Sequence, residues 1–513
     1  MKNMYIAMLA LILANMLFFC PAASIDSEKT LNAASMWDIP DVDPILRGDA
    51  WAEKTLVTET LVTSNQDYEL LPQLATTWRQ LDDKTWEFKL RDDVFFHDNS
   101  KLTADDVKFT LERGAELDAA IAGYLQLDRI DVIDSNTIRI LTKNPNAMLP
   151  ASLHSPSLGV ISRNSVDKDG KFIKPIGTGP FKFESFDAQT HVLTVSKNDN
   201  WWGGDIAIDR IITTPMTDPN ARASAIEKGD VDFTVDIPYN EVERIDSIDS
   251  LSAKIFDTPY LYRLDLNTGH EPLNNIDIRH ALSYAVNRDD IVEYVLFGVG
   301  SPSSVPFSSS MPWANNSVRH YDYDIETAKE LLADAGWIDT DGDGTLDKEG
   351  KPLELSLLTY PTRPGLVPVA EALVGEFKEI GIKADLEVLE WGAITDKRKD
   401  GDWDMVLFAT NCALIPDPQY YLQRSYGTGG SYNYVSYSNP DVDELLTESM
   451  ETEDLQTRYN LLKEVQSITQ EDSINIIVAH YGIAVAAKDS VKGFEFDPTA
   501  HDYKLNPEMD IEE

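Results

Sequence analysis

Residues Asp82 to Arg113 read DDKTWEFKLRDDVFFHDNSKLTADDVKFTLER, and they restrict the fold more than any other stretch of the chain. Trp86, Phe88 and Leu90 alternate with Glu87, Lys89 and Arg91, the period-two pattern of a strand with one buried face. Phe95-Phe96-His97 extends the run until Asp98-Asn99-Ser100 turns the chain. Thr103 is placed to cap a helix, with Asp106 three residues on as a capping-box partner. Val107 and Leu111, four apart, give that helix an apolar stripe. The pattern alone predicts a strand, a turn and a helix, and no chemistry. His97 has no second His or Cys nearby, so a structural histidine at a strand end is expected over a metal ligand.

The residue order is more specific than the pattern. LRDDVFFHDNSKLTADDVKFTLER resembles a signature of the peptide- and nickel-binding proteins that serve ABC importers, solute-binding family 5. That signature runs Leu-Arg-x-x-Val-x-Phe-His-Asp-Gly, then Leu-Thr-Ala-x-Asp-Val. The departure is Asn99, where Gly is usual, and Asn tolerates a positive φ. Further resemblances follow the family order: Leu74-Ala75-x-x-Trp78, Pro175-Ile-Gly-Thr-Gly-Pro-Phe181, Asn198-Asp-Asn-Trp-Trp-Gly-Gly204 and DIRHALSYAVNRDDI from Asp277. Another spans Ala335-Gly336-Trp337 and 342–353. The glycines at 177 and 179 belong to neither GxxxxGK[ST] nor GxGxxG, so nucleotide binding is excluded there. A tight turn into a strand is the physical reading.

The resemblance implies an α/β, two-lobed class-II periplasmic-binding-protein fold with an extra domain inserted in the first lobe. Its expected divisions are 1–24 as signal peptide or N-terminal anchor, 25–60 as the first segment of lobe I and 61–176 as the inserted domain. Then come 177–261 as the second segment of lobe I, 262–481 as lobe II and 482–513 as the C-terminal segment of lobe I. The β-α-β order of 353–359, 367–380 and 382–389 independently argues for parallel strands in the C-terminal half. Ile474–Val485 reads as a buried strand returning toward the first lobe.

The chain of 513 residues carries 87 acidic and 44 basic residues, a net charge of −43. That excludes nucleic acid as a partner, because phosphate contacts need clustered Lys and Arg. Acids spread along the whole chain suit a solvated surface in a saline milieu, where salt screens self-repulsion. Lys2, the apolar run Tyr5–Cys20 and Pro21-Ala22-Ala23-Ser24 follow the plan of a secretory signal. The run is shorter than the roughly 20 apolar residues of a membrane span. Leu17-Phe18-Phe19-Cys20 only faintly resembles a lipobox, since Phe19 stands where a small residue is expected. An extracytoplasmic location, secreted or anchored at the outer face of the cytoplasmic membrane, is expected.

Candidate ligand-binding residues cluster after the strand Trp403–Ala409. Asn411, Cys412, Leu414, Asp417 and Tyr420 lie where the resemblance places a main ligand loop, with Tyr421 beside them. Peptide-binding relatives carry an Asp shortly before the Asp-Pro pair to hold the peptide amine; here Ala413 or Leu414 occupies that place, while Asp417-Pro418 matches the pair. Trp37, Trp391 and His480 are further cleft candidates, with core packing as the competing role for each. Asp339, Asp341, Asp343 and Asp347 fill positions 1, 3, 5 and 9 of a calcium loop, but position 12 is Gly350. Structural calcium and a solvated acidic turn both stay open, and no other cofactor is expected.

The expected function is capture of a peptide or peptide-like solute between two lobes and its delivery to ABC permease subunits, by a monomer. A nickel or other metal chelate is the alternative cargo, raised by the missing amine anchor. A calcium-stabilised extracellular hydrolase is the alternative of another class, although HExxH, GxSxG and CxxC motifs are all absent.

Overall fold

The computed structural model describes residues 28–512, apart from the side chains of 47–50. The leader and Cys20 lie outside the described residues. No described helix is long and apolar enough to cross a membrane.

Two long strands organise the molecule. Leu251–Leu266 and Asn475–Lys488 run antiparallel, paired from Leu251 opposite Lys488 to Asp265 opposite Asn475. The first is buried from Thr258 to Leu266 and the second from Ile476 to Ala486, as strands covered on both faces must be. The register slips between Asp257 and Leu261, where Pro259 contributes no N–H and Gly482 stands opposite Asp257. The expected lobe boundaries at 261/262 and 481/482 fall inside these two strands. One end of the pair continues through Phe233–Val235, Thr30–Ser35, Arg210–Pro215, Leu193–Lys197 and Phe181–Phe186. The other continues through Met405–Asn411, Glu354–Thr359 and Lys383–Val388, and with the short Ser301–Pro302 paired to Asn475–Lys488 these strands make one eleven-stranded mixed sheet. Glu354–Thr359 is parallel to both of its neighbours, with helix Leu366–Glu379 as the crossover to Lys383–Val388.

A separate four-stranded sheet orders Ala75–Asp82, Thr85–Leu90, Thr137–Thr142 and Leu127–Asp134. Its core, with Phe88, Val107, Leu111, Ile138 and Ile140 fully buried, is distinct from the core of the large sheet. Each such side chain contributes about 2 kcal/mol of apolar burial. Asn99 takes the positive φ of 66° that its turn requires. The capping box forms, with the Thr103 N–H and hydroxyl donating to Asp106 at 3.0 and 2.6 Å. The strict alternation expected around Trp86 does not hold: Glu87 is buried, because Arg79 and Arg139 cover it with hydrogen bonds of 2.6 and 2.9 Å.

The turn at 177–179 has a steric cause. A Cβ on Gly177 would lie 2.0 Å from the Val57 carbonyl oxygen, and one on Gly179 would lie 2.0 Å from that of Leu56. His97 ties down the same turn, accepting from the Gly177 N–H at 3.3 Å and meeting the Gly179 carbonyl at 3.0 Å. Trp201 and Trp202 donate their indole N–H groups to buried Glu59 at 3.2 and 2.9 Å. Burial outweighs these bonds and the one from Thr178, and pushes the Glu59 carboxyl up to about 7.

Candidate functional site

Three strand ends converge between the lobes. Thr30–Ser35 delivers Trp37, Glu354–Thr359 delivers Tyr360 and Arg363, and Met405–Asn411 delivers Asn411 and Leu414. Ligands of open α/β sheets sit at such carboxyl ends. Together with helix residue Trp391, Arg424 and the C-terminal His501, these side chains enclose a cavity of about 280 Å³. Trp37 and His501 come from one lobe; Tyr360, Arg363 and Trp391 come from the other.

Aromatic rings form the walls. Tyr360 meets Trp391 edge-on at 5.1 Å, and Trp391 meets Phe408 at 6.1 Å. Such contacts hold the rings in one geometry and leave their faces to a guest. Arg363 is buried at the floor, its guanidinium 4.6 Å from the Tyr260 ring. It donates to Asp502, and stands 3.4 Å from Asp236. Asp502 also accepts from the Trp37 indole at 2.8 Å and from Lys54 at 3.2 Å. Burial alone would raise the Asp502 carboxyl, but Arg363 and Lys54 hold it well below the ordinary range. Burial does raise Asp236, against the opposing pull of Arg363. Asp502 is therefore the principal anionic partner of Arg363, at the shorter of the two contacts.

Of the residues expected from sequence, Trp37, Trp391, Asn411 and Leu414 line this cavity. The others point elsewhere. The Cys412 thiol is fully buried and donates to the Pro306 carbonyl at 3.2 Å; burial pushes it up, away from the thiolate a soft metal needs. Asp417 is turned from the cleft, accepting from the Gln419 N–H as a helix cap and from Arg458 at 2.7 and 3.0 Å. Tyr420 faces the small domain, its ring edge-on to Tyr124 at 5.8 Å. Tyr421 is buried and accepts from Arg263 at 3.1 Å. His480 lies in the second crossing strand, opposite Ser301, where burial pushes its imidazole down to about 4. Ala413 is buried, and neither it nor Leu414 offers a group to hold an amine.

Sequence reasoning missed Arg363, Tyr360, Arg424, Tyr432 and His501. Arg363 lies in the loop after strand Glu354–Thr359, where nothing local marks it as a cleft residue.

In the acidic loop, carboxylate oxygens of Asp339, Asp341 and Asp347 lie within 4.8 Å of one another. Asp343 instead accepts from the Thr345 N–H at 2.7 Å, and Asp339 from the Gly342 N–H at 2.7 Å. None of the four lines the cleft.

A family model described as bacterial extracellular solute-binding proteins, family 5 middle, matches residues 69–433. The nickel-binding protein NikA of Staphylococcus aureus is 25% identical over 442 residues, covering 86% of each chain. The oligopeptide-binding protein AppA of Bacillus subtilis is 26% identical over 471 residues, covering 87% of this chain and 84% of that protein. The crystal structure of S. aureus NikA with Ni(L-His)2 superposes with a TM-score of 0.83 at 24% identity, covering 94% of this chain and all of the other.

Proposed function

The chain belongs to family 5 of the bacterial extracellular solute-binding proteins, and from that premise we propose that it is the substrate-binding subunit of an ABC importer. It closes two lobes over a cargo, presents the closed form to a membrane permease and releases the cargo unchanged. The observation that carries this reading is the cavity of about 280 Å³ walled from both lobes and bridged by two crossing strands. Its floor holds an ion pair between lobes, so closure and cavity formation are one event.

Peptides or peptide-like solutes are the first cargo class. The volume sits at the low end of small-molecule sites, roughly 300–1,000 Å³, and suits a short guest. A nickel chelate is the second reading, favoured by Ala413 and Leu414 where a carboxylate would hold a peptide amine. In that reading the organic chelator supplies the metal's ligands and the protein recognises the chelator. Family members work outside the cytoplasm; we place this chain there too, released or held by its leader. The acidic loop, apart from cargo capture, keeps two readings, a structural calcium site and a solvated turn: with calcium, 1 mM Ca²⁺ over EGTA would raise Tm and Asp341→Asn would remove the rise. An unchanged Tm leaves a solvated turn.

Native mass spectrometry of the protein from its own host tests the main reading. A mass increment matching a peptide or a nickel complex is expected, together with a smaller radius of gyration in solution scattering when that molecule is restored. Scattering that stays constant with every peptide and chelate offered would overturn it.

A further inference from the structure

The charge of the cleft is opposite to that of the protein. The chain carries 87 acidic residues against 44 basic ones, yet none of the residues lining the cavity is Asp or Glu. The ionisable side chains in the wall that carry or gain positive charge are Arg363, Arg424 and His501. They are not equivalent. Arg363 faces the buried carboxyls of Asp502 and Asp236, and its charge is matched inside the protein. His501 has its Nδ1 3.3 Å from Asp502.

Arg424 differs. It sits in helix Pro418–Tyr426, half-buried, where the cleft adjoins a second cavity of about 290 Å³ against the small domain. Among the described residues its partners are uncharged: the Tyr420 hydroxyl, the Ser431 hydroxyl at 3.2 Å, and the rings of Tyr420 and Tyr432 at 4.5 and 3.9 Å. The two rings and the Tyr420 and Ser431 hydroxyls hold the guanidinium where Arg424 lines the cavity. A half-buried guanidinium with no carboxylate beside it gives up hydration without an ion pair in return, and its planar fork matches a carboxylate.

We propose that Arg424 anchors a carboxylate of the cargo, so that the importer takes anionic solutes. The inference rests on the solute-binding reading and narrows it. It explains how a site without an amine-holding acid still orients its guest: the cargo is held by its negative end, with the aromatic walls covering the rest. The carboxylate belongs either to the C-terminus of a short peptide or to the organic part of a metal chelate.

Calorimetric titration of the mature chain with matched probes decides between these. The pairs are Ala-Phe against Ala-Phe amide, and Ni²⁺ with L-histidine against Ni²⁺ with histamine. The expected result is that the carboxylate member of one pair binds about 10-fold or more tightly than its carboxylate-free twin. The pair that responds identifies the source of the carboxylate. In Arg424→Gln that ratio should fall to about threefold or less, and Arg424→Lys should keep part of it, because the charge stays and the fork is lost. Should Arg424→Gln fail to fold, Arg424→Lys and the wild-type ratio carry the test. A ratio that persists in Arg424→Gln, equal binding of the two twins, or wild-type binding confined to neutral or cationic solutes would overturn the inference and leave the importer reading standing. Failure of every solute to bind, with unchanged scattering, would remove both.

Discussion

Arg363, carried by the loop after Glu354–Thr359, donates to Asp502 of the C-terminal segment across the gap between the lobes. Both side chains are almost fully buried, and the pair ties one lobe to the other. Removing one member of a buried ion pair costs roughly 3–5 kcal/mol. Arg363→Gln should sit at the low end, about 3 kcal/mol in urea, because Lys54 still faces Asp502 at 3.2 Å. It should also raise the radius of gyration of the unliganded protein. A variant that scatters like wild type would show that the pair stabilises a surface already closed for other reasons.

His97 gives a pH dependence whose sign follows from its environment. Burial is the main cause that pushes its imidazole from 6.5 down to about 4, and nearby Lys182 adds to it. The neutral ring accepts from Gly177, which a protonated ring cannot do. The folded pKa lies below the unfolded one, so the unfolded chain takes up a proton first as pH falls. Stability is therefore full above 6.5 and is lost between 6.5 and about 4, by up to about 3 kcal/mol. Comparing wild type with His97→Gln cancels the titration of His154 and His480, also depressed to about 4. The stability gap between the two proteins should shrink steadily from pH 7 to pH 4.5. A constant gap would mean that His97 titrates as in a free peptide.

The local elements were legible because their signals are local. Thr103 and Asp106 announce a capping box three residues apart, and the box forms; Asn99 announces its positive φ. The two lobes came from resemblance, not from period or propensity. The cleft was half legible. Trp37, Trp391, Asn411 and Leu414 follow strands or open a helix, so their placement traces to strand ends. Asp417 misled because an acid beside a matched loop looks like a ligand group. Only the fold reveals that Arg458, 41 positions later, neutralises it. Arg363 and Arg424 stayed hidden for the same reason: whether a guanidinium has a carboxylate partner is a long-range property. The sequence of a chain with twice as many acids as bases conceals which base lacks one.

Asp417 holds structure and not cargo, which its substitution can demonstrate. It caps helix Pro418–Tyr426 and meets Arg458 twice, at 2.7 and 3.0 Å, both groups being buried. Asp417→Ala leaves Arg458 without its counter-ion and the helix without its cap, losses of roughly 3–5 and about 1 kcal/mol that overlap in one carboxylate. A fall of several degrees in Tm is expected. The relative affinities for free-acid and amide probes should be unchanged in whatever fraction stays folded. A change in that ratio with little loss of stability would return Asp417 to the ligand site.

The net charge of −43 predicts a salt dependence of the whole fold. Among the described residues many acids are exposed and outside any ion pair, and folding brings them closer than in the unfolded chain. Their repulsion extends over about 10 Å at 0.1 M salt and about 3 Å at 1 M. Raising NaCl from 0.1 to 2 M should therefore raise Tm by several degrees. The buried pairs Arg363–Asp502 and Arg458–Asp417 are shielded from solvent ions and should not weaken in step. Potassium chloride should act like sodium chloride, since screening depends on ionic strength and not on a specific site. Calorimetry across the two salts separates this from the acidic loop, where calcium alone would act. A Tm that falls with salt would show that exposed ion pairs such as Arg210–Glu184 and Lys383–Glu354 outweigh the like-charge repulsion.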